Sequence, residues 1–83
     1  MNNTYFEEIK LRVIRAADQT NCNADEKDIK RNHTNYGTTS AFLSILGDFG
    51  HEIDLPVWED ENGCLRIPFV KIDDKKIEFI NGK

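Results

Sequence analysis

Four side chains of this 83-residue chain, Cys22, His33, His51 and Cys64, are of the kinds that hold zinc. Two thiolates and two imidazoles can complete a tetrahedral Zn²⁺ site. Here each lies more than ten residues from the next, with no C-x-x-C or H-x₃-H pair to assemble half a site in advance. Two reduced thiols and two ordinary histidines are the better reading, so neither a metal nor a cofactor is expected. His51, between Gly50 and Glu52, is of the right type for a general base. Cys64 is one candidate nucleophile for it, yet it follows a hairpin turn and not a helix N-terminus that would lower its pKa. The stretch YGTTS (36–40) places hydroxyls before a helix but lacks the glycines and lysine of a phosphate-binding loop, and reads as capping. The acids of DENG (60–63) lack the alternating ligand positions of a calcium loop. The chain is expected not to be an enzyme.

The elements that would position these residues follow from periodicity. Thr4 and Glu7 fit a capping box. Phe6, Ile9, Val13 and Ala16 then line one helical face to about Ala17, and DQTNCNAD (18–25) breaks it with turn-favouring residues. Asn23 or Asp25 can cap a short second helix, ADEKDIKRN (24–32), whose acids precede its bases as the helix dipole prefers. HTNYG (33–37) reads as a turn. A third helix follows from the Thr38, Thr39 and Ser40 cluster, with Ala41, Phe42, Ile45, Leu46 and Phe49 as its core stripe and Gly50 as terminator. Phe42→Ala is expected to leave a costly core cavity.

From Ile53 the period changes to two. A strand around Leu55–Glu59 meets Asn62-Gly63, a strong hairpin signal. Leu65, Ile67 and Phe69 alternate on the return strand, where Pro68 demands an edge or a bulge. IDDKKI (72–77) turns a second hairpin. The expected fold is α+β, one small domain over residues 1–83, with three helices followed by a three-stranded antiparallel β-meander. In element order alone this resembles a winged helix.

Charge opposes the DNA-binding use of that layout. Residues 1–33 hold six bases and six acids, residues 48–63 hold six acids and no base, and residues 64–83 hold five bases and three acids. The expected third helix and the hairpin tip, which would have to grip phosphate, are therefore acidic. Trp58, beside Glu59, Asp60 and Glu61, is either core or an interface anchor with a polar rim.

Three functions follow in order of preference. The first is a non-enzymatic regulator or inhibitor that offers an acidic surface, Asp48, Glu52, Asp54, Trp58, Glu59, Asp60 and Glu61, to a protein with a basic surface. A nucleic-acid-processing enzyme would fit as that partner. The second is a winged-helix transcription regulator that binds nucleic acid through Lys27, Lys30 and Arg31, helped by Lys71, Lys75 and Lys76. The third is a self-associating protein, a homodimer. No apolar run is long enough to span a membrane, and MNNTYFEEIK lacks the features of a signal peptide, so a cytoplasmic location is expected. The abundance of Asn, Lys and Ile, which use AT-rich codons, suggests an AT-rich bacterial, phage or mobile-element gene.

Overall fold

The computed structural model of the chain describes residues 3–83. Helix α1 (Asn3–Cys22) and helix α2 (Ile29–Asp48) are joined by a 3₁₀ turn at Glu26–Asp28. Five short strands follow: β1 (Ile53–Asp54), β2 (Trp58–Glu59), β3 (Leu65–Arg66), β4 (Phe69–Ile72) and β5 (Lys75–Glu78), then a second 3₁₀ turn at Ile80–Gly82. The α+β class holds, with two long helices in place of the three expected.

Helix α1 is already helical at Asn3, which puts Thr4 inside the first turn and not at the cap, and it runs through Asp18–Cys22. HTNYG is helical too, and it fuses the expected second and third helices into α2. The hydroxyls that argue against helix are neutralised locally: Thr34 bonds Lys30 O, Thr38 bonds Thr34 O, Thr39 bonds Asn35 O and Ser44 bonds Ser40 O. Each hydroxyl that returns to the carbonyl four residues back stops competing for another backbone conformation. Asp25 does act as a cap, accepting from Lys27 N at 2.9 Å. Gly50, at φ +94, ends α2 with His51 N on Leu46 O and Gly50 N on Gly47 O, the paired bonds of a Schellman motif.

The helices form an antiparallel hairpin: Asn32 meets Thr20, and Arg12 lies over Phe42. One side of it packs on the strands through a cluster of Ile9, Val13, Ala17, Leu43, Leu46, Ile67, Val70, Ile72 and Phe79. On α2 the buried apolar residues are Leu43 and Leu46, while Phe42 and Ile45 are half-buried and Ala41 and Phe49 exposed. The expected core stripe of α2 is thus displaced around the helix, and Phe42 is not a central core residue.

The expected single meander is split in two. Strands β1, β4 and β5 form one antiparallel sheet in that order, and β2 and β3 form a separate two-stranded ribbon. Pro68, without an N–H to donate, lies where the long return strand changes partners. At that break the helices replace the missing strand. Asn21 Nδ2 donates to Ile67 O and its Oδ1 accepts from Ile67 N, at 2.9 and 2.8 Å. Asn32 grips Leu65 O and N in the same manner, at 2.9 and 2.7 Å. Two buried side-chain amides thereby act as a surrogate strand along one edge of β3. A helix-turn-helix with a separate recognition helix is not formed.

Candidate functional site

The segment from Asp48 to Glu61 runs along the molecule, whose longest dimension is 40 Å, instead of gathering into one patch. Asp48, Glu52 and Asp54 lie at the end that holds the α1 N-terminal turns, where His51 stacks on Phe6. Trp58, Glu59, Asp60 and Glu61 lie at the opposite end, beside the loop that joins the helices. Cys64 Sγ there meets Asp25 O, and Arg66 Nη2 reaches Ala24 O.

At this second end the tip of the ribbon is built around Asp60. Its Oδ1 accepts from Asn62 N and Cys64 N, and its Oδ2 accepts from Arg66 Nε at 3.0 Å. Gly63 N donates to Asp60 O, and Gly63 sits at φ +80. This is a turn over residues 60–63 closed by a glycine in the left-handed region, not a two-residue Asn-Gly turn. Burial pushes the Asp60 carboxyl up, but the bonds from Arg66, Cys64 N and Asn62 N, with the guanidinium charge, outweigh it and hold the pKa below the ordinary value. Asp60 belongs to the architecture of the tip, with only 9% of its side chain exposed.

Arg66 ties that tip to its surroundings. Besides Asp60 it donates to Asn81 O, and its guanidinium carbon lies 5.9 Å from the Trp58 ring centre. The Trp58 indole N–H donates to Gly82 O at 2.8 Å. A Cβ on Gly82 would collide with the Ile67 carbonyl, so that contact needs glycine. Trp58 is therefore fixed by its polar atom while 42% of the residue faces solvent. The choice between core and surface resolves as a ring that is pinned yet open, on a ribbon whose Glu59 and Glu61 are also exposed.

Lys27, Lys30 and Arg31 are exposed on the 3₁₀ turn and the first turn of α2, at the same end as the ribbon tip. In the sequence the two sets read as rival surfaces; in the fold they are neighbours. Outside the Asp60–Arg66 and Lys83–Glu78 pairs, the carboxylates there include Asp25, Glu26, Asp28, Glu59 and Glu61 against those three bases, so the end stays acid-rich.

At the other end His51 Nδ1–H donates to Asp73 Oδ2 at 2.8 Å. Glu52 N donates to Asp73 Oδ1, and Asp73 N to Glu52 O. Asp73, at φ +55 in the β4–β5 turn, is held below the ordinary aspartate range chiefly by the His51 bond and then by the Glu52 N–H. A His–Asp pair can orient an imidazole for proton transfer, but Cys64, the nucleophile considered for it, is buried at the far end. Burial first, and the Asp60 charge next, push the Cys64 thiol up, away from the reactive thiolate. His33 Nε2 is engaged with Gly63 O at 2.9 Å. Among the described residues no three metal-ligating side chains come together, and no helix is long and apolar enough to cross a membrane.

Comparison with known protein families, with curated proteins and with solved structures finds no match to this chain. The functional argument rests on the site itself.

Proposed function

We propose that this chain is a non-enzymatic regulator or inhibitor that binds a protein with a basic surface, and that the ribbon tip, Trp58 with Glu59 and Glu61, is what meets it. The observation that carries this reading is the Trp58 ring, held by Gly82 O and Arg66 yet open to solvent, on a ribbon that also carries the exposed Glu59 and Glu61. An aromatic whose orientation is set before binding loses little rotamer freedom on docking, and such residues supply much of the energy of small interfaces. The carboxylates around it would speed encounter with a basic partner and weaken that attraction as salt rises. A protein that handles nucleic acid, with its basic cleft, is the partner class that best suits this charge. Carriage on a phage or mobile element suits such an inhibitor.

The test is affinity capture from a bacterial lysate, with and without nuclease. The bait is the wild-type chain, Trp58→Ala, the Glu59→Lys/Glu61→Lys pair, or Asp48→Lys/Glu52→Lys/Asp54→Lys. Asp60 is left intact because the tip needs it. A protein that survives nuclease, is lost with the first two variants and is kept by the third supports the tip. Capture unaffected by the first two variants removes it, and partners that vanish with nuclease would return the basic residues Lys27, Lys30 and Arg31 to consideration.

A further inference from the structure

Asparagine followed by glycine is the dipeptide most prone to lose its side-chain amide, because a neighbour without a side chain leaves its backbone nitrogen unobstructed and the backbone between them free to turn. The chain has two such pairs, Asn62-Gly63 at the ribbon tip and Asn81-Gly82 in the C-terminal turn. Both asparagines are exposed. Both glycine N–H groups close a turn, Gly63 N on Asp60 O at 3.0 Å and Gly82 N on Phe79 O at 3.1 Å. In local sequence and in N–H bonding the two pairs are therefore equal.

They differ in what else holds the peptide unit that must turn before the Asn Cγ and the Gly nitrogen can meet. Asn81 O accepts from Arg66 Nη1 at 3.1 Å. Gly82 is buried against the Ile67 carbonyl, and its own O accepts from the Trp58 indole. The peptide unit between Asn81 and Gly82 is thus tied at both its oxygen and its nitrogen, within a packed turn. At the tip, neither Asn62 O nor the Asn62 side chain has a hydrogen-bond partner among the described residues, and Gly63 is only half-buried. The turn is carried by strands of two residues each, and short exposed elements of this kind open locally at low cost.

We propose that Asn62 is a site of spontaneous amide loss in the folded protein, and that the fold protects Asn81 from the same reaction. Gly63 N gives its proton to solvent base and bonds to Asn62 Cγ; the side-chain nitrogen leaves as ammonia, which closes a succinimide. Water then opens the ring at Cγ, leaving aspartate, or at the backbone carbonyl, leaving isoaspartate. Either product adds a carboxylate beside Glu61, on a tip that already exposes Glu59 and Glu61. Isoaspartate also inserts a backbone carbon between Asn62 N and Cys64 N, both of which donate to Asp60 Oδ1, so the turn must loosen to admit it. The reaction does not depend on what the tip binds.

The test is incubation of the full chain at mildly alkaline pH, folded in buffer and unfolded in guanidinium chloride, followed by digestion and mass spectrometry of the peptides that hold each pair. In denaturant the two asparagines should convert at similar rates, since each faces a glycine. In the folded chain Asn62 should convert at least about fivefold faster than Asn81, a factor that one hydrogen bond to a charged group supports. Ion exchange of the intact protein should show a more acidic form accumulating with time. Asn62→Gln, at an exposed position and with a side chain too long for this ring, should not accumulate it. Equal conversion of the two sites in the folded chain overturns the proposal, as does an Asn62 that stays intact in buffer while it converts in denaturant. An acidic form that accumulates in Asn62→Gln at the wild-type rate would do the same.

Discussion

Asn32 is fully buried, and its side chain makes three hydrogen bonds that no neighbour can replace in its absence. Its Nδ2 donates to Thr20 O at 2.8 Å and to Leu65 O, and its Oδ1 accepts from Leu65 N at 2.7 Å. Thr20 O is among the last carbonyls of α1, which lack a partner within the helix. Asn32→Ala would orphan one N–H and two carbonyls. At about 1–3 kcal/mol for each buried group left unpaired, and less for carbonyls than for N–H, the loss is roughly 3–5 kcal/mol. A domain of this size has a total stability of about 4–12 kcal/mol. With a urea slope near the low end of the usual range of about 1–3 kcal/mol/M, the midpoint should fall by roughly 2–4 M. Equilibrium unfolding read by the fluorescence of Trp58, the single tryptophan, measures it. Asn32→Asp separates hydrogen bonding from volume: it puts an acceptor where the amide donates to two carbonyls, so it should destabilise at neutral pH. Because its carboxyl would be easier to keep neutral than ionised there, that defect should ease as pH falls. Ser44→Ala, which removes only an exposed back-bond, serves as the control. A loss below about 1 kcal/mol from Asn32→Ala, within the scatter of ordinary surface changes, would refute the surrogate-strand account of the ribbon's attachment.

Two more predictions concern the ends of the molecule. Asp60 and Asp73 both titrate below the ordinary aspartate value of 3.8 when folded, so their stabilising contribution is full above that value and is lost as pH falls through the lower, folded values. Asp60→Asn should therefore be less stable at neutral pH and lose less of its remaining stability on acidification, as urea midpoints between neutral pH and about pH 2 would report; an acid profile parallel to the wild type would be the contrary result. Gly82→Ala should displace the C-terminal turn from Ile67 and free the indole N–H at a cost of about 1–3 kcal/mol, with Trp58 emission shifting to longer wavelength, whereas unchanged emission and stability would show that the turn does not hold the ring.

Features that depend on a few adjacent residues were legible in the sequence. Gly50 ends its helix as its position suggests, Asp25 caps, Pro68 interrupts a ladder, and both hairpins form. What escaped was set at long range. HTNYG looks like a turn because Asn, Gly and Thr each compete with helix, and nothing nearby reveals that Asn32 is consumed by Leu65 and Thr20 or that the hydroxyls fold back on their own carbonyls. Gly37, with open space around its Cα, still costs the helix about 1 kcal/mol relative to alanine, yet tertiary packing on both sides of it keeps the helix continuous. The acidic segment reads as one surface because its residues are close in sequence. Along an extended stretch, however, 14 residues reach about 46 Å, enough to carry its two halves to opposite ends of the fold. Asn21, Asn32, Arg66 and Gly82 went unrecognised since their roles exist only once helix ends, ribbon and C-terminal turn have met.

The two-residue strands β2 and β3 would not persist as an isolated ribbon in water, so the ordering of the Trp58 tip is borrowed from its surroundings. Asn21 and Asn32 fix one edge of β3, Arg66 reaches the interhelical loop, and Gly82 holds the indole. Loss of any one of these ties should therefore loosen the Trp58 ring and weaken partner capture together. Glu59 and Glu61 hold none of them, so Glu59→Lys/Glu61→Lys should weaken capture while leaving Trp58 emission and the urea midpoint near those of the wild type. A shift of the emission with that pair would mean that the carboxylates support the ring, and that their effect on capture is indirect.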